Sequence, residues 1–137
     1  MLVILVTHNP FVHTEEVFRL NLTTRSRHQG SMPGDEASIG ISMIIGVQNY
    51  TAQSGGLPKA VRGNATHMAL WRTKNKDELN LISKEMAGEV EPEKFLEVYE
   101  YIMSDQDDKH VMMFIDLHKK DNHPSMFRKN YTDFVVM

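Results

Sequence analysis

A chain of 137 residues with 41% hydrophobic and 24% charged residues has the composition of one water-soluble globular domain with a single modest core. Its net charge of −3 excludes a surface coated in positive charge, so any contact with nucleic acid must be local. The absence of cysteine excludes disulfides and thiolate chemistry, which fits a reducing compartment.

The opening Met-Leu-Val-Ile-Leu-Val is apolar but far shorter than the ~20 residues of a membrane span. It also lacks the basic start and cleavage site of a signal peptide, and predicts a buried strand. Thr14 caps a predicted helix whose first turn carries Glu15 and Glu16, where negative charge suits the positive end of the helix dipole. That helix runs towards Thr24 or His28. Residues 31–40 hold glycine and proline without periodicity and predict an exposed, inserted loop. Residues 41–47 form a nearly continuous apolar run ending in Gln48 and Asn49, the pattern of a central strand covered on both faces.

Pro58 opens a short predicted helix through Arg62, ended by Gly63. Residues 66–71 predict a third strand. Asn75 with Glu78 makes a capping box, after which Leu79, Ile82 and Met86 recur at helical spacing until Gly88. Pro92 starts another helix, with Phe95, Tyr99 and Ile102 or Met103 as its apolar stripe. Residues 110–115 predict a fourth strand ending in Asp116, and residues 134–137 a short last one. The ten methionines read as core filler. Strands alternating with helices predict an α/β domain over residues 1–137, with a mainly parallel sheet flanked by helices. Ligands gather at the C-terminal strand ends of such sheets, which would place Gln48, Arg72 and Asp116 on one functional rim.

Four blocks carry more specific information: Thr24-Arg-Ser-Arg-His-Gln-Gly30, Ile41-Ser-Met-Ile-Ile-Gly-Val-Gln-Asn-Tyr50, Leu57-Pro-Lys-Ala-Val-Arg-Gly-Asn64 and Thr66-His-Met-Ala-Leu-Trp71. In this order they resemble the half of FtsK/HerA-type ATPases that follows the Walker B strand, and most closely the DNA-packaging ATPases of poxviruses and other large DNA viruses. Phe114-Ile-Asp-Leu117 and Pro124-Ser-Met-Phe-Arg128 are similar to the tails of the large-virus members. The likeness spans residues 22–137, interrupted by the loop at 31–40.

The resemblance implies the C-terminal part of a P-loop NTPase core whose phosphate-loop half is missing from this sequence. No Gly-x-x-x-x-Gly-Lys-Ser/Thr occurs, so autonomous ATP hydrolysis is not expected. ATP and Mg²⁺ belong to the full-length family context. The implied partners are further copies or an intact homologue in a ring, and double-stranded DNA in the assembled machine. The implied setting is the cytoplasm or nucleus of an infected host, in a virus factory, without a membrane. Gln48 matches the polar sensor that touches the γ-phosphate or attacking water. Arg25 and Arg27 match an arginine supplied across a subunit interface, Arg27 being preferred because His28 follows it. Lys59, Arg62 and Arg72 offer positive charge to a DNA backbone.

Each of these residues has a plainer reading. Gln48 is also a strand-end cap, Arg25 and Arg27 favour a helix C-terminus, and the lysines and arginines belong to a solvated face. Two other functions stay open: a non-catalytic subunit docking on intact homologues, and a metal-dependent nuclease using Asp116, His118 and His123. The His118 to His123 spacing matches no recognised ligand pattern. Asp116 at the end of an apolar run mimics a Walker B aspartate but reads as a strand-end cap.

Overall fold

The computed structural model describes residues 3–8, 42–51, 56–118 and 122–136. The helix predicted from Thr14, the inserted loop at 31–40, and Arg25 and Arg27 lie outside the described residues. The strands are β1 (Val3–His8), β2 (Ser42–Val47), β3 (His67–Trp71), β4 (Met112–Asp116), β5 (Phe127–Lys129) and β6 (Asp133–Phe134). They form one sheet in the order β2-β1-β3-β4-β5-β6.

Every neighbouring pair in this sheet is antiparallel, so the expected mainly parallel sheet does not form. The connections explain why. Between β3 and β4 the chain makes two helices, α2 (Lys76–Glu85) and α3 (Pro92–Met103), rather than one. A single crossover helix returns the chain to the start of the previous strand; two helices bring it back to the end at which β3 finished, and β4 runs in reverse. Between β2 and β3 the described residues hold one short helix, α1 (Lys59–Arg62), and these two strands do run the same way. They are not neighbours, because β1 lies between them and opposes both. The apolar run at 42–47 is therefore an edge strand among the described residues, not the expected central one, and Ile44 is 69% exposed.

Local signals set the helix boundaries. Pro58 precedes α1 with φ −56°, and Gly63 closes it. The Asn75 side chain accepts a hydrogen bond from the Glu78 N–H at 3.2 Å, satisfying an otherwise orphaned donor. The reciprocal half of the capping box is absent, since the Asn75 N–H goes to Thr73 Oγ1 and the Glu78 carboxylate turns elsewhere. Helix α2 ends at Glu85, ahead of Gly88. Helix α3 buries Phe95, Val98, Tyr99, Ile102 and Met103, the predicted stripe with Val98 added. Among the described residues no helix is long and apolar enough to cross a membrane.

The core lies between one face of the sheet and the two long helices. Met68, Leu70, Met113 and Ile115 from the strands meet Ile82, Phe95 and Ile102 from the helices, all at 1% exposure or less. Truncating such a side chain removes transfer free energy and leaves a cavity. Ile82→Ala should lower the unfolding free energy by ~2–5 kcal/mol in a urea titration. Ile44→Ala, on an exposed edge, should stay within about 0.5 kcal/mol of the parent. Equal losses at both positions would contradict this placement of the core.

Candidate functional site

Strand register fixes which ends share a rim. Val3 faces Val47 on one side and Leu70 on the other, so Gln48 and Trp71 stand level, with Arg72 one residue beyond. They are two strand spacings apart, about 9.5 Å. Gln48 is exposed in the bend after β2. Asp116 pairs with His67 at the start of β3, so it lies at the opposite end of the sheet. The expectation that Gln48, Arg72 and Asp116 share one rim fails for Asp116, because β4 is reversed.

The segment after Gln48 is held by a polar latch. The Tyr50 N–H donates to Glu78 Oε1 at 2.8 Å, and the Tyr50 hydroxyl donates to Glu85 Oε2 at 2.5 Å. Arg62 forks onto the same Glu85 carboxylate, with Nε to Oε2 at 3.0 Å and NH2 to Oε1 at 2.6 Å, and its NH1 reaches the Leu57 carbonyl at 2.5 Å. Its guanidinium carbon lies 4.6 Å from the centroid of the Tyr50 ring. Gly56 completes the turn: a Cβ there would stand 1.9 Å from the Thr51 carbonyl oxygen, a contact only glycine avoids. Thr51 and Leu57 then bridge in parallel.

The protonation states follow from this geometry. Burial drives the Tyr50 hydroxyl far above its ordinary pKa, and the adjacent Glu85 charge adds to the shift. Burial alone would raise the Glu85 carboxyl, but hydrogen bonds from Arg62 and Tyr50 hold it below the usual range. The Glu85 contacts in turn raise the Arg62 guanidinium. The latch is thus a neutral phenol, a carboxylate and a guanidinium at neutral pH.

Of the three cationic residues expected to meet DNA, Lys59 and Arg72 are exposed and Arg62 is largely covered. Lys59 is exposed on α1. Arg62 is committed to Glu85 with a side chain only 9% exposed. Arg72 caps the end of α3, its NH2 donating to the Met103 and Asp105 carbonyls at 2.6 and 3.0 Å, where positive charge suits the helix C-terminus. Nearby, the Thr73 N–H donates to the Tyr99 hydroxyl, which donates to the Trp71 carbonyl. Lys59 and Lys84 flank a cleft of about 400 Å³ with Tyr50, Arg62 and Glu85 in its wall.

The far end of the sheet gathers Asp116, His67, His123 and Arg128. Asp116 is 4% exposed; its Oδ1 lies 3.6 Å from His67 Nε2, and its Oδ2 lies 3.5 Å from His123 Nδ1 and 3.6 Å from Arg128 NH2. Burial lowers the His67 pKa, against the pull of Asp116. The His118 contact is through its backbone N–H, which donates to Asp116 Oδ1 at 3.1 Å, the expected strand-end cap. Arg128 supplies the neutralising charge that a metal would otherwise bring. Among the described residues no group of three or more His, Cys, Asp or Glu is arranged to hold a metal ion.

Tyr50, Glu78 and Glu85 were not legible as site residues, since their contacts join positions 28 and 35 residues apart and no local spacing marks them. Comparison of the chain with protein-family models, with curated proteins and with solved structures finds no match.

The depressed Glu85 pKa fixes the sign of a pH effect. The latch contributes fully above the unfolded glutamate pKa of about 4.3 and is lost as pH falls through the lower folded value. Melting temperature against pH should therefore drop more steeply below about pH 4.3 in the parent than in Glu85→Gln. Parallel curves would show that the carboxylate contributes nothing. Gly56→Ala should destabilise at every pH, because the clash is steric.

Proposed function

We propose that this chain acts as the sensor-bearing distal segment of a viral DNA-packaging ATPase of the FtsK/HerA-type P-loop superfamily. It would work with a phosphate-loop segment in an oligomeric ring that hydrolyses Mg-ATP and moves double-stranded DNA. One observation carries this reading beyond the sequence resemblance: β2 and β3 run the same way on either side of β1, and Gln48, just past β2, stands level with Trp71 at the end of β3. A strand running with them in that position would make a three-strand parallel unit with a shared C-terminal rim, the place where such sheets bind ligands. In this chain β1 fills the position in the opposite direction.

The roles follow from chemistry. Gln48 offers an uncharged donor and acceptor able to orient water beside crowded phosphate charge. Arg27, with Arg25 as the alternative, would present a permanently charged, forked guanidinium to a neighbour's nucleotide. The latch through Tyr50 ties the Gln48 loop to α1 and α2, so a shift at the rim would move the surface that carries Lys59 and Lys84. Those two lysines and the exposed Arg72, whose NH2 alone is used on the end of α3, are the candidates for the DNA backbone, because Arg62 is committed to Glu85.

The chain alone should give a flat Mg-ATP titration and no turnover, since it has no phosphate cradle. Saturable binding with turnover abolished by Asp116→Ala would instead assign a Walker-B-like role to Asp116. In an intact homologue carrying this segment, Arg27→Ala should slow hydrolysis by ~10³–10⁵-fold with little change in nucleotide affinity. Mixing those subunits with subunits lacking the phosphate-loop lysine should recover part of the activity. Mixed rings that assemble yet stay inactive would remove Arg27 from the trans role.

A further inference from the structure

The Asp116 carboxylate is nearly buried and is shared by groups from separate parts of the chain. His67 reaches it from the start of β3 at 3.6 Å, His123 from the loop before β5 at 3.5 Å, and Arg128 from β5 itself at 3.6 Å. The His118 N–H donates to it at 3.1 Å. Glu89 and His118 stand with Asp116 along a cleft of about 430 Å³, and β1 opposes His67 with the uncharged Val6.

Hydrogen-bond roles fix where one proton is. Arg128 NH2 lies 3.2 Å from His123 Nδ1. A guanidinium has only donors, so this nitrogen accepts and carries no proton. The same Nδ1 faces Asp116 Oδ2, a second acceptor, with no proton to give it. Protonation exchanges these partners: Nδ1 becomes a donor to Asp116 and sets a second positive charge against Arg128.

Arg128 has few other contacts to hold it. Its Nε is buried without a hydrogen-bond partner among the described residues, and its NH1 donates to the Tyr131 carbonyl at 3.2 Å, tying down the turn of the β5–β6 hairpin. Its guanidinium carbon lies 4.5 Å from the centroid of the Phe134 ring, which also meets the His123 ring at 5.4 Å. Strand β6, only two residues long, pairs with β5 alone among the described strands, so the hairpin depends on these side-chain ties.

His67 acts in the same sense. Burial holds it towards the neutral form, against the pull of Asp116 and with the help of the Arg128 and His118 charges. A histidine held below its unfolded pKa of about 6.5 supports the fold above that pH, and this support is lost as pH falls through the lower folded value.

We propose that the Asp116 cluster is an acid-sensitive clamp, in which protonation of His123 hands Asp116 to the imidazolium, releases Arg128 and loosens the β5–β6 hairpin. The clamp uses none of the residues assigned to ATP hydrolysis and stands independently of that reading.

The test is hydrogen exchange of the full chain, followed by mass spectrometry from about pH 8 to about pH 5 and corrected for the intrinsic pH dependence of amide exchange. Glu85, held below the usual carboxylate range, keeps its latch throughout this window. Protection of residues 122–136 should fall about tenfold on acidification, while that of α3 changes little. In His123→Gln, whose amide oxygen accepts from Arg128 at any pH, the fall should disappear. Nitrogen NMR of the parent needs no variant: at about pH 8, His123 should show a bare Nδ1 and a protonated Nε2. An Nδ1–H tautomer overturns the proposal, as does equal protection at both ends of the range or an undiminished fall in His123→Gln. Equal losses in residues 122–136 and α3 also overturn it, because the whole fold rather than the hairpin then answers the proton. A response abolished only by His67→Gln overturns the assignment of the trigger to His123.

Discussion

One carboxylate ties together the elements around the Gln48 rim. Glu85, at the end of α2, accepts from the Tyr50 hydroxyl and from two nitrogens of Arg62. A carboxylate taken largely out of water is costly unless its lone pairs are used, and a forked guanidinium with a phenol uses them. The same contacts fix the path of the chain. The loop leaving β2 must come back to α2, α1 must present Arg62 inward, and β3 must start where α1 releases it. Deleting either partner strands the other charge in a half-buried site, so the loop, α1 and α2 behave as one unit rather than as three independent pieces.

The elements that came through clearly in the sequence are those whose local chemistry is self-sufficient. Asn75 caps α2 because its side chain reaches an N–H three residues on, and Phe95, Tyr99 and Ile102 share a face because helical spacing requires it. Sheet direction was not legible, since it depends on how many helices lie between two strands and on which strand fills the gap between β2 and β3. Of the last hairpin, β6 meets the strand expected at 134–137 only at Phe134, and β5 escaped for another reason. Strands of three and two residues are too short to show alternation, and their turn relies on Asn130 at φ 56°, a conformation asparagine tolerates better than most residues. Asn130 is held by its own long-range bonds, with its Oδ1 accepting from the Met112 N–H and its Nδ2 donating to Asp108.

The candidate site divides along the same line. Gln48 follows an apolar run, and the end of that run does mark the end of β2, where Gln48 stands exposed. Lys59, Arg62 and Arg72 looked alike as cations, yet geometry separates Arg62, forked onto Glu85, from the exposed Lys59 and from Arg72, which is exposed and also holds the end of α3. Asp116 looked like a partner of Gln48 only while the sheet was taken as parallel. Once β4 is reversed, it belongs with His67, His123 and Arg128.

The most direct measurement is complementation in trans. This chain would be mixed with the separately produced phosphate-loop half of a packaging ATPase, and DNA-stimulated phosphate release followed over time. Turnover is expected from the mixture, none from either half, and loss when the chain carries Gln48→Ala. A stable complex of the two halves that releases no phosphate, or one that is indifferent to Gln48, would contradict the proposed role.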